Sequence, residues 1–136
     1  MILLDTHIWV WWVHGDPIPF DLKQVMEAKE EKGFAVSAIS CWEVSKLVEH
    51  GKLKLPTLID NWFDEALGES GIRLIPLTPQ IALESTVLPG DFHRDPADQI
   101  IVATARVHKL PLATCDQRIS RYPYVQVLQG LEINDR

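Results

Sequence analysis

The chain has 136 residues, 46% of them hydrophobic and 24% charged, which is the size and composition of one domain over residues 1–136. Its net charge of −6 excludes a partner held mainly by a broad basic surface. The longest apolar run near the start, residues 8–13, is far shorter than the roughly 20 residues of a membrane span. No Lys or Arg precedes that run, and Cys41 and Cys115 form no CxxC pattern, so we expect a cytoplasmic protein with reduced thiols.

Short apolar segments alternate with helical patterns along the chain. Each apolar segment is continuous, as in a strand buried on both faces, and the patterns between them place apolar residues three and four positions apart. The alternation predicts an α/β fold in which a parallel sheet of about five strands is flanked by helices on both faces. The predicted strands are residues 1–4, 35–37, 72–75, 112–114 and 125–128, and the predicted helices are residues 6–13, 22–31, 41–49, 58–67, 80–87 and 97–107.

Acidic side chains follow two of the predicted strands at the point where each strand ends. Asp5 interrupts an apolar run between the first strand and the first helix, and Asp116 follows the strand at residues 112–114. Because an unpaired buried carboxylate costs several kcal/mol, Asp5 requires a partner, a capping role or a cation. Sites of open parallel sheets gather at the carboxyl ends of the strands, so both acids are site candidates.

Further acids occur where helices are predicted to begin. Ser40 and Glu43 are three residues apart, the spacing of a capping box, which predicts Glu43 in the first turn of the helix after the second strand. Asp95 is the predicted N-cap of the last long helix, with Pro96 at its first position and Asp98 in its first turn.

Two interpretations of these acids stay open. Taken singly, Glu43, Asp95 and Asp116 are explained as helix caps, because acids satisfy free N–H groups and favour the positive end of the helix dipole. Taken together, carboxylates that converge on one sheet edge raise one another's pKa and oppose folding. Mg²⁺ or Mn²⁺ resolves that conflict by taking carboxylate oxygens as ligands, which makes Asp5 a metal ligand.

Residues next to these acids carry expectations of their own. Thr6 and Thr114 each lie within two residues of a candidate acid, and they either orient that acid or are ordinary strand-end hydroxyls. Trp9, Trp11 and Trp12 crowd the first helix, and three indoles in four positions cannot all point the same way. We therefore expect at least one of them at an interface with a second copy or another protein.

Four segments of the chain, taken in order, resemble the motifs of one known family. They are ILLDTH at residues 2–7, SAISCWEVSKLVEHGKLKL at 37–55, HRDPADQIIVATA at 93–105 and LATCD at 112–116. In order and spacing they resemble the PIN domain, and specifically the VapC toxins of bacterial toxin–antitoxin pairs. The resemblance covers nearly the whole chain.

The resemblance implies a PIN-like fold, a homodimer and an endoribonuclease that depends on Mg²⁺ or Mn²⁺ and leaves a 3′-hydroxyl and a 5′-phosphate. It also implies RNA as the substrate and a cognate VapB-like antitoxin as the partner. Gln99 stands where the DPxDR form of the third motif has arginine, so this chain lacks that positive charge. Carried over by motif, the catalytic, metal-binding acids fall on Asp5, Glu43, Asp98 and Asp116, with Asp95 as a supporting acid.

Other functions fit the residues less well. Phosphotransferases of the haloacid dehalogenase type need a second Asp two positions after the first, where this chain has His7. His7 and His93 have no HxxxH partner, which disfavours zinc. A PIN-like module that binds RNA or protein without cleaving is an alternative that the four retained acids disfavour, and a plain scaffold would leave the acids unexplained.

Overall fold

A five-stranded parallel sheet forms the centre of the protein. The computed structural model describes residues 1–128, so residues 129–136 of the expected domain lie outside the described residues. The strands are β1 (Ile2–Leu4), β2 (Phe34–Ser37), β3 (Arg73–Ile75), β4 (Leu112–Ala113) and β5 (Val127–Leu128). They lie in the order β3-β2-β1-β4-β5, and each neighbouring pair is parallel, which confirms the predicted sheet.

Helices connect the strands and cover both faces of the sheet. In the described part of the chain, none is long and apolar enough to cross a membrane. Each predicted strand and helix is present, with ends that differ from the prediction by at most three residues. The helices are α1 (Thr6–His14), α2 (Phe20–Lys29), α3 (Ala38–Glu49), α4 (Ile59–Asp64, continued by a π-helical turn at Glu65–Glu69), α5 (Pro79–Thr86), α6 (Pro96–His108) and α7 (Gln117–Ser120).

The sheet has an apolar core on each face because its strands alternate their side chains between the two sides. Ile2 and Leu4 of β1 pack with α1, α2 and α4, whereas Leu3 packs with α5 and α6. All three side chains are buried, and each contributes about 1.5–3 kcal/mol relative to an exposed position. The central strand is therefore held firmly from both sides.

Strand β1 lies between β2 and β4, so the segments that follow these three strands are neighbours. Leu3 pairs with Ala35 of β2 on one side and with Leu112 of β4 on the other. Asp5 continues the ladder with its N–H, which donates to the carbonyl of Ala113 at 2.9 Å. The segments that follow β1, β2 and β4 consequently leave the sheet side by side at its carboxyl edge.

The start of α3 differs from the prediction. Its N-cap is Ser37, whose hydroxyl accepts from the N–H of Ile39 at 3.2 Å, so the predicted capping box of Ser40 and Glu43 is wrong. The cap forms at Ser37 because β2 ends there and the chain turns at once into the helix. Ser40 then lies inside α3 with a buried hydroxyl, and Glu43 lies in the second turn instead of the first.

Candidate active site

The carboxyl edge of the sheet opens into a cavity of about 330 Å³ that is lined by five carboxylates. We call it the acid pocket. His7, Trp11, Cys115 and Arg118 also line it. Each acid that the sequence predicts for the site reaches this one cavity, and together they come from four separate segments of the chain. The five are Asp5, Glu43, Asp95, Asp98 and Asp116.

Asp5 lies at the floor of the acid pocket, directly after the central strand, and its side chain caps α1. Its Oδ1 accepts from the N–H of Thr6 at 2.8 Å, and its Oδ2 accepts from the hydroxyl of Thr114 at 2.7 Å. Burial raises the pKa of Asp5 above its ordinary value, and the two hydrogen bonds offset part of that rise. Asp5 is therefore a buried acid that is oriented by two threonines.

Glu43 reaches the acid pocket from the second turn of α3. Its Oε1 accepts from the hydroxyl of Thr6 at 2.5 Å. Because that bond uses the only hydroxyl proton of Thr6, Ser40 must be the donor in the 2.8 Å contact between the Ser40 and Thr6 hydroxyls. Burial raises the pKa of Glu43, the Thr6 bond lowers it, and the charges of Asp5 and Asp95 raise it further.

Asp95 and Asp98 open α6 as the sequence predicts. Oδ1 of Asp95 accepts from the N–H groups of Ala97 and Asp98 at 3.0 and 3.2 Å, with Pro96 as the first helical residue. Both cap contacts use the same oxygen of Asp95. Burial, and then the charges of the other four acids, raise the pKa of Asp98 to about 7. The pocket therefore resists charging of Asp98.

Asp116 caps α7 and is neutralised by a nearby cation. Its Oδ1 accepts from the N–H of Arg118 at 2.8 Å, and the Arg118 Nη2 atom lies 3.2 Å from its Oδ2. Partial burial raises the pKa of Asp116, but the hydrogen bonds and charge of Arg118 outweigh that effect and bring the pKa below its ordinary value. The hydroxyl of Thr114 accepts from the N–H of Asp116 at 3.0 Å and so connects Asp116 to Asp5.

The chemistry of this donor set suits a hard divalent cation, because every acid offers carboxylate oxygens of the kind that Mg²⁺ and Mn²⁺ bind. His93, which is half-buried beside Asp98, is a second sign of an incomplete site. Its Nε2 lies 3.2 Å from Oδ2 of Asp98 but off the N–H direction, so within residues 1–128 this nitrogen has no hydrogen-bond partner.

The present side-chain positions do not form a ready cage. Among residues 1–128, no three His, Cys, Asp or Glu side chains are placed so that they could share one ion. The carboxylates are engaged by Thr6, Thr114 and Arg118 instead. Cation binding therefore requires the acids to adjust, and Arg118 is the partner that a cation would displace from Asp98 and Asp116.

Three further residues contribute to the acid pocket. They are Ser40, which acts through Thr6, His93 beside Asp98, and Arg118, whose Nη2 lies 3.5 Å from Oδ2 of Asp98. From the sequence, His93 is expected near the site and Arg118 is one of the local positive charges available to steer a phosphate backbone. The role of Ser40 was not predicted, because it depends on a contact between distant parts of the chain.

The tryptophans of α1 divide as their crowding requires. Trp9 is fully buried and donates from its indole N–H to the carbonyl of Ala66 at 3.0 Å. Trp12 packs edge-on against Phe34, with ring centroids 5.1 Å apart, while Trp11 lines the acid pocket. Trp11 and Trp12 remain half-buried, so the expected interface role stays a prediction for those two.

Comparison with known proteins identifies the family to which this chain belongs. The PIN domain family profile matches residues 2–124. The chain is 34% identical over 119 residues to ribonuclease VapC22 of Mycobacterium tuberculosis, covering 87% of this chain and 88% of that protein.

Solved structures show the same fold. A chain of a toxin–antitoxin complex from Klebsiella pneumoniae superposes with a TM-score of 0.64 at 24% identity, covering 96% of this chain and 98% of that one. A chain of the Rickettsia felis VapBC2 complex, bound to a DNA fragment from its promoter, superposes with a TM-score of 0.68 at 19% identity, covering 93% and 97%. The protein belongs to the PIN domain family, and within it to the VapC group.

Proposed function

We propose that the protein is a VapC-type toxin, a divalent-metal-dependent endoribonuclease whose reaction takes place in the acid pocket. The observation that carries the proposal is the convergence of five carboxylates on one cavity, in which residues 1–128 place a single arginine. Such an excess of negative charge opposes folding unless a cation joins it. The 34% identity to a protein named as a ribonuclease supports phosphodiester hydrolysis as the chemistry.

Four acids are proposed to hold the cation, and they are Asp5, Glu43, Asp98 and Asp116. Bound Mg²⁺ or Mn²⁺ would supply a lowered pKa for the attacking water and a positive charge opposite the phosphate. Thr114 orients Asp5 through its 2.7 Å bond, and Thr6 holds Glu43. Asp95 supports the site by fixing the start of α6, which places Asp98. In-line displacement would leave a 3′-hydroxyl and a 5′-phosphate.

The proposal includes partners. Known structures with this fold are named as toxin–antitoxin complexes, and a basic antitoxin segment would complement the acid pocket. We place a contact with a second copy or with the antitoxin at one of the half-buried α1 tryptophans, Trp11 or Trp12. If Trp11→Ala and Trp12→Ala both leave antitoxin binding and oligomeric state unchanged, that placement is wrong. A homodimer and a cytoplasmic location complete the proposal.

One observation favours a second candidate, a PIN-like module that binds RNA or protein without cleaving it. Within the described residues the acids do not form a cage, and Arg118 neutralises two of them. In this alternative, Arg118 permanently takes the place of the cation and the acids serve as helix caps.

The two candidates are separated by incubating total RNA with the purified, antitoxin-free protein in Mn²⁺ or Mg²⁺. The first predicts discrete products with 5′-phosphate ends, which EDTA abolishes. Asp5→Asn, purified in parallel, controls for contaminating nucleases and should yield no products. If the folded wild-type protein gives no cleavage in either metal, the endoribonuclease proposal fails and the binding module is favoured.

A further inference from the structure

Arg118 is the single Lys or Arg side chain that lines the acid pocket in the described part of the chain. Its Nη2 atom lies 3.5 Å from Oδ2 of Asp98 and 3.2 Å from Oδ2 of Asp116. One guanidinium therefore bridges two of the four carboxylates that are proposed to hold the cation. A cation bound to these carboxylate oxygens would displace the Arg118 guanidinium from them.

The guanidinium is held loosely, although its backbone is held well. The N–H of Arg118 is fixed by Asp116 at 2.8 Å in the cap of α7. The ion-pair distances of 3.2 and 3.5 Å, however, exceed the 2.7–2.9 Å that is usual for strong charge-assisted bonds. The side chain is also 60% exposed, so neither packing nor burial prevents it from swinging outward.

We propose that Arg118 exchanges partners: without a cation it neutralises Asp98 and Asp116, and when a divalent cation takes those carboxylates it binds a phosphate of the RNA. This inference rests on the proposed function. A guanidinium is suited to both states, because its planar donors match carboxylate and phosphate alike. The exchange also provides a positive charge for the substrate beside a pocket that otherwise repels it.

The test compares Arg118→Gln with Arg121→Gln, which removes the same charge one turn away. Arg121 is exposed and donates to Oε1 of Gln117 at 3.1 Å, without touching the acids. We expect Arg118→Gln to bind Mn²⁺ about two- to fivefold more tightly than wild type, the range that an exposed ion pair allows. Arg121→Gln should bind Mn²⁺ like wild type. Calorimetric titration with Mn²⁺ alone measures both.

The second arm measures binding of a fluorescein-labelled 12-nucleotide single-stranded RNA in saturating Mn²⁺, with its integrity checked on a gel. Arg118→Gln should weaken binding and reduce the slope of log K against log salt by about 0.7, the loss of one phosphate contact. An unchanged Mn²⁺ affinity, an unchanged salt slope, or equal changes in Arg121→Gln would each overturn the exchange.

Failure of this inference is distinguishable from failure of the proposed function. If wild type binds Mn²⁺ and cleaves RNA while Arg118→Gln behaves identically, only the exchange is wrong. If wild type neither binds Mn²⁺ nor cleaves RNA, the proposed function is wrong and the exchange is overturned with it.

Discussion

The acid pocket and a second cavity formed by the described residues both contain acid and arginine side chains, but they differ in how completely the acids are paired. A groove of about 440 Å³ contains Glu84 and Arg106, and Arg106 donates from Nε to Oε2 of Glu84 at 2.6 Å and from Nη1 to the carbonyl of Tyr124 at 2.5 Å. In this Glu84 groove the carboxylate has its own cation. In the acid pocket, by contrast, the described residues contribute five carboxylates and one loosely held arginine.

The difference separates a structural ion pair from the cluster of acids that is proposed to bind a cation. A paired carboxylate stabilises the fold modestly. Several carboxylates that converge without enough cations destabilise the fold, and a bound cation relieves that repulsion. The pKa of Asp98, which is raised to about 7, reflects the free-energy cost of charging this carboxylate among the others. Natural proteins retain such an arrangement where chemistry requires it.

The largest expected effect is the loss of RNA cleavage in Asp98→Asn, with Glu84→Gln as the variant for comparison. Asp98→Asn should reduce RNA cleavage more than about 100-fold, since even residues that only support metal ligands cost 10- to 100-fold. Without metal at pH 8 it should raise the melting temperature, because one repelling charge is gone. Glu84→Gln should leave cleavage unchanged and lower the melting temperature. Equal destabilisation by both variants would contradict the contrast.

Thr114→Val tests how the acid pocket holds Asp5. The buried Thr114 hydroxyl donates to Oδ2 of Asp5, so its loss leaves that oxygen without a donor and should weaken Mn²⁺ binding about 10- to 100-fold. Thr104→Val is the matched control, because Thr104 is equally buried but donates to the carbonyl of Ile100 in its own helix at 2.7 Å. Calorimetric titration should separate the two, and similar losses of affinity would count against a role specific to Thr114.

The free energy of unfolding should fall as pH rises from about 5 to 8 in EDTA. The pKa of Asp98 is raised in the folded protein from 3.8 to about 7, so over this interval the folded state holds a proton that the unfolded state has already released. The contribution of Asp98 to the free energy of unfolding is therefore larger at pH 5 than at pH 8, and it is lost as the pH rises through about 7. Urea denaturation across this pH range should show a flatter profile for Asp98→Asn than for wild type. Parallel profiles would exclude Asp98 as the cause.

Arg106→Gln should have the smallest effect. It removes a partly buried ion pair in the Glu84 groove and should cost about 1 kcal/mol of stability in urea denaturation. Mn²⁺ affinity should not change, because the groove takes no part in the cation site. A change in Mn²⁺ affinity would show that the two cavities are coupled.

The sheet and the convergence of the acids were predictable because their signals are local. Asp5 directly follows an apolar strand, Asp116 lies three residues after the end of another, and Asp95 precedes a proline at the start of an amphipathic helix. Because neighbouring strands are parallel, their carboxyl ends lie at the same edge of the sheet, and this brings the acids together. The comparisons confirm the family and the fold that these patterns indicate.

What could not be predicted depends on contacts across the chain. Ser37 and Ser40 are equally good caps by residue type, and only the end of β2 decides between them. The Ser40 hydroxyl then pairs with Thr6, 34 residues away in the sequence. His93 was expected near the site because it precedes the acidic motif, but its contact with Asp98 in particular follows from the path of the loop before α6.

The most direct test of the central claim is the shift in melting temperature caused by Mn²⁺ in wild type, Asp98→Asn and Glu84→Gln. If the acid pocket is a cation site, Mn²⁺ stabilises wild type and Glu84→Gln by similar amounts, since a ligand that binds the folded state raises its stability. It should stabilise Asp98→Asn little or not at all. An equal Mn²⁺ shift in Asp98→Asn and wild type would contradict the claim.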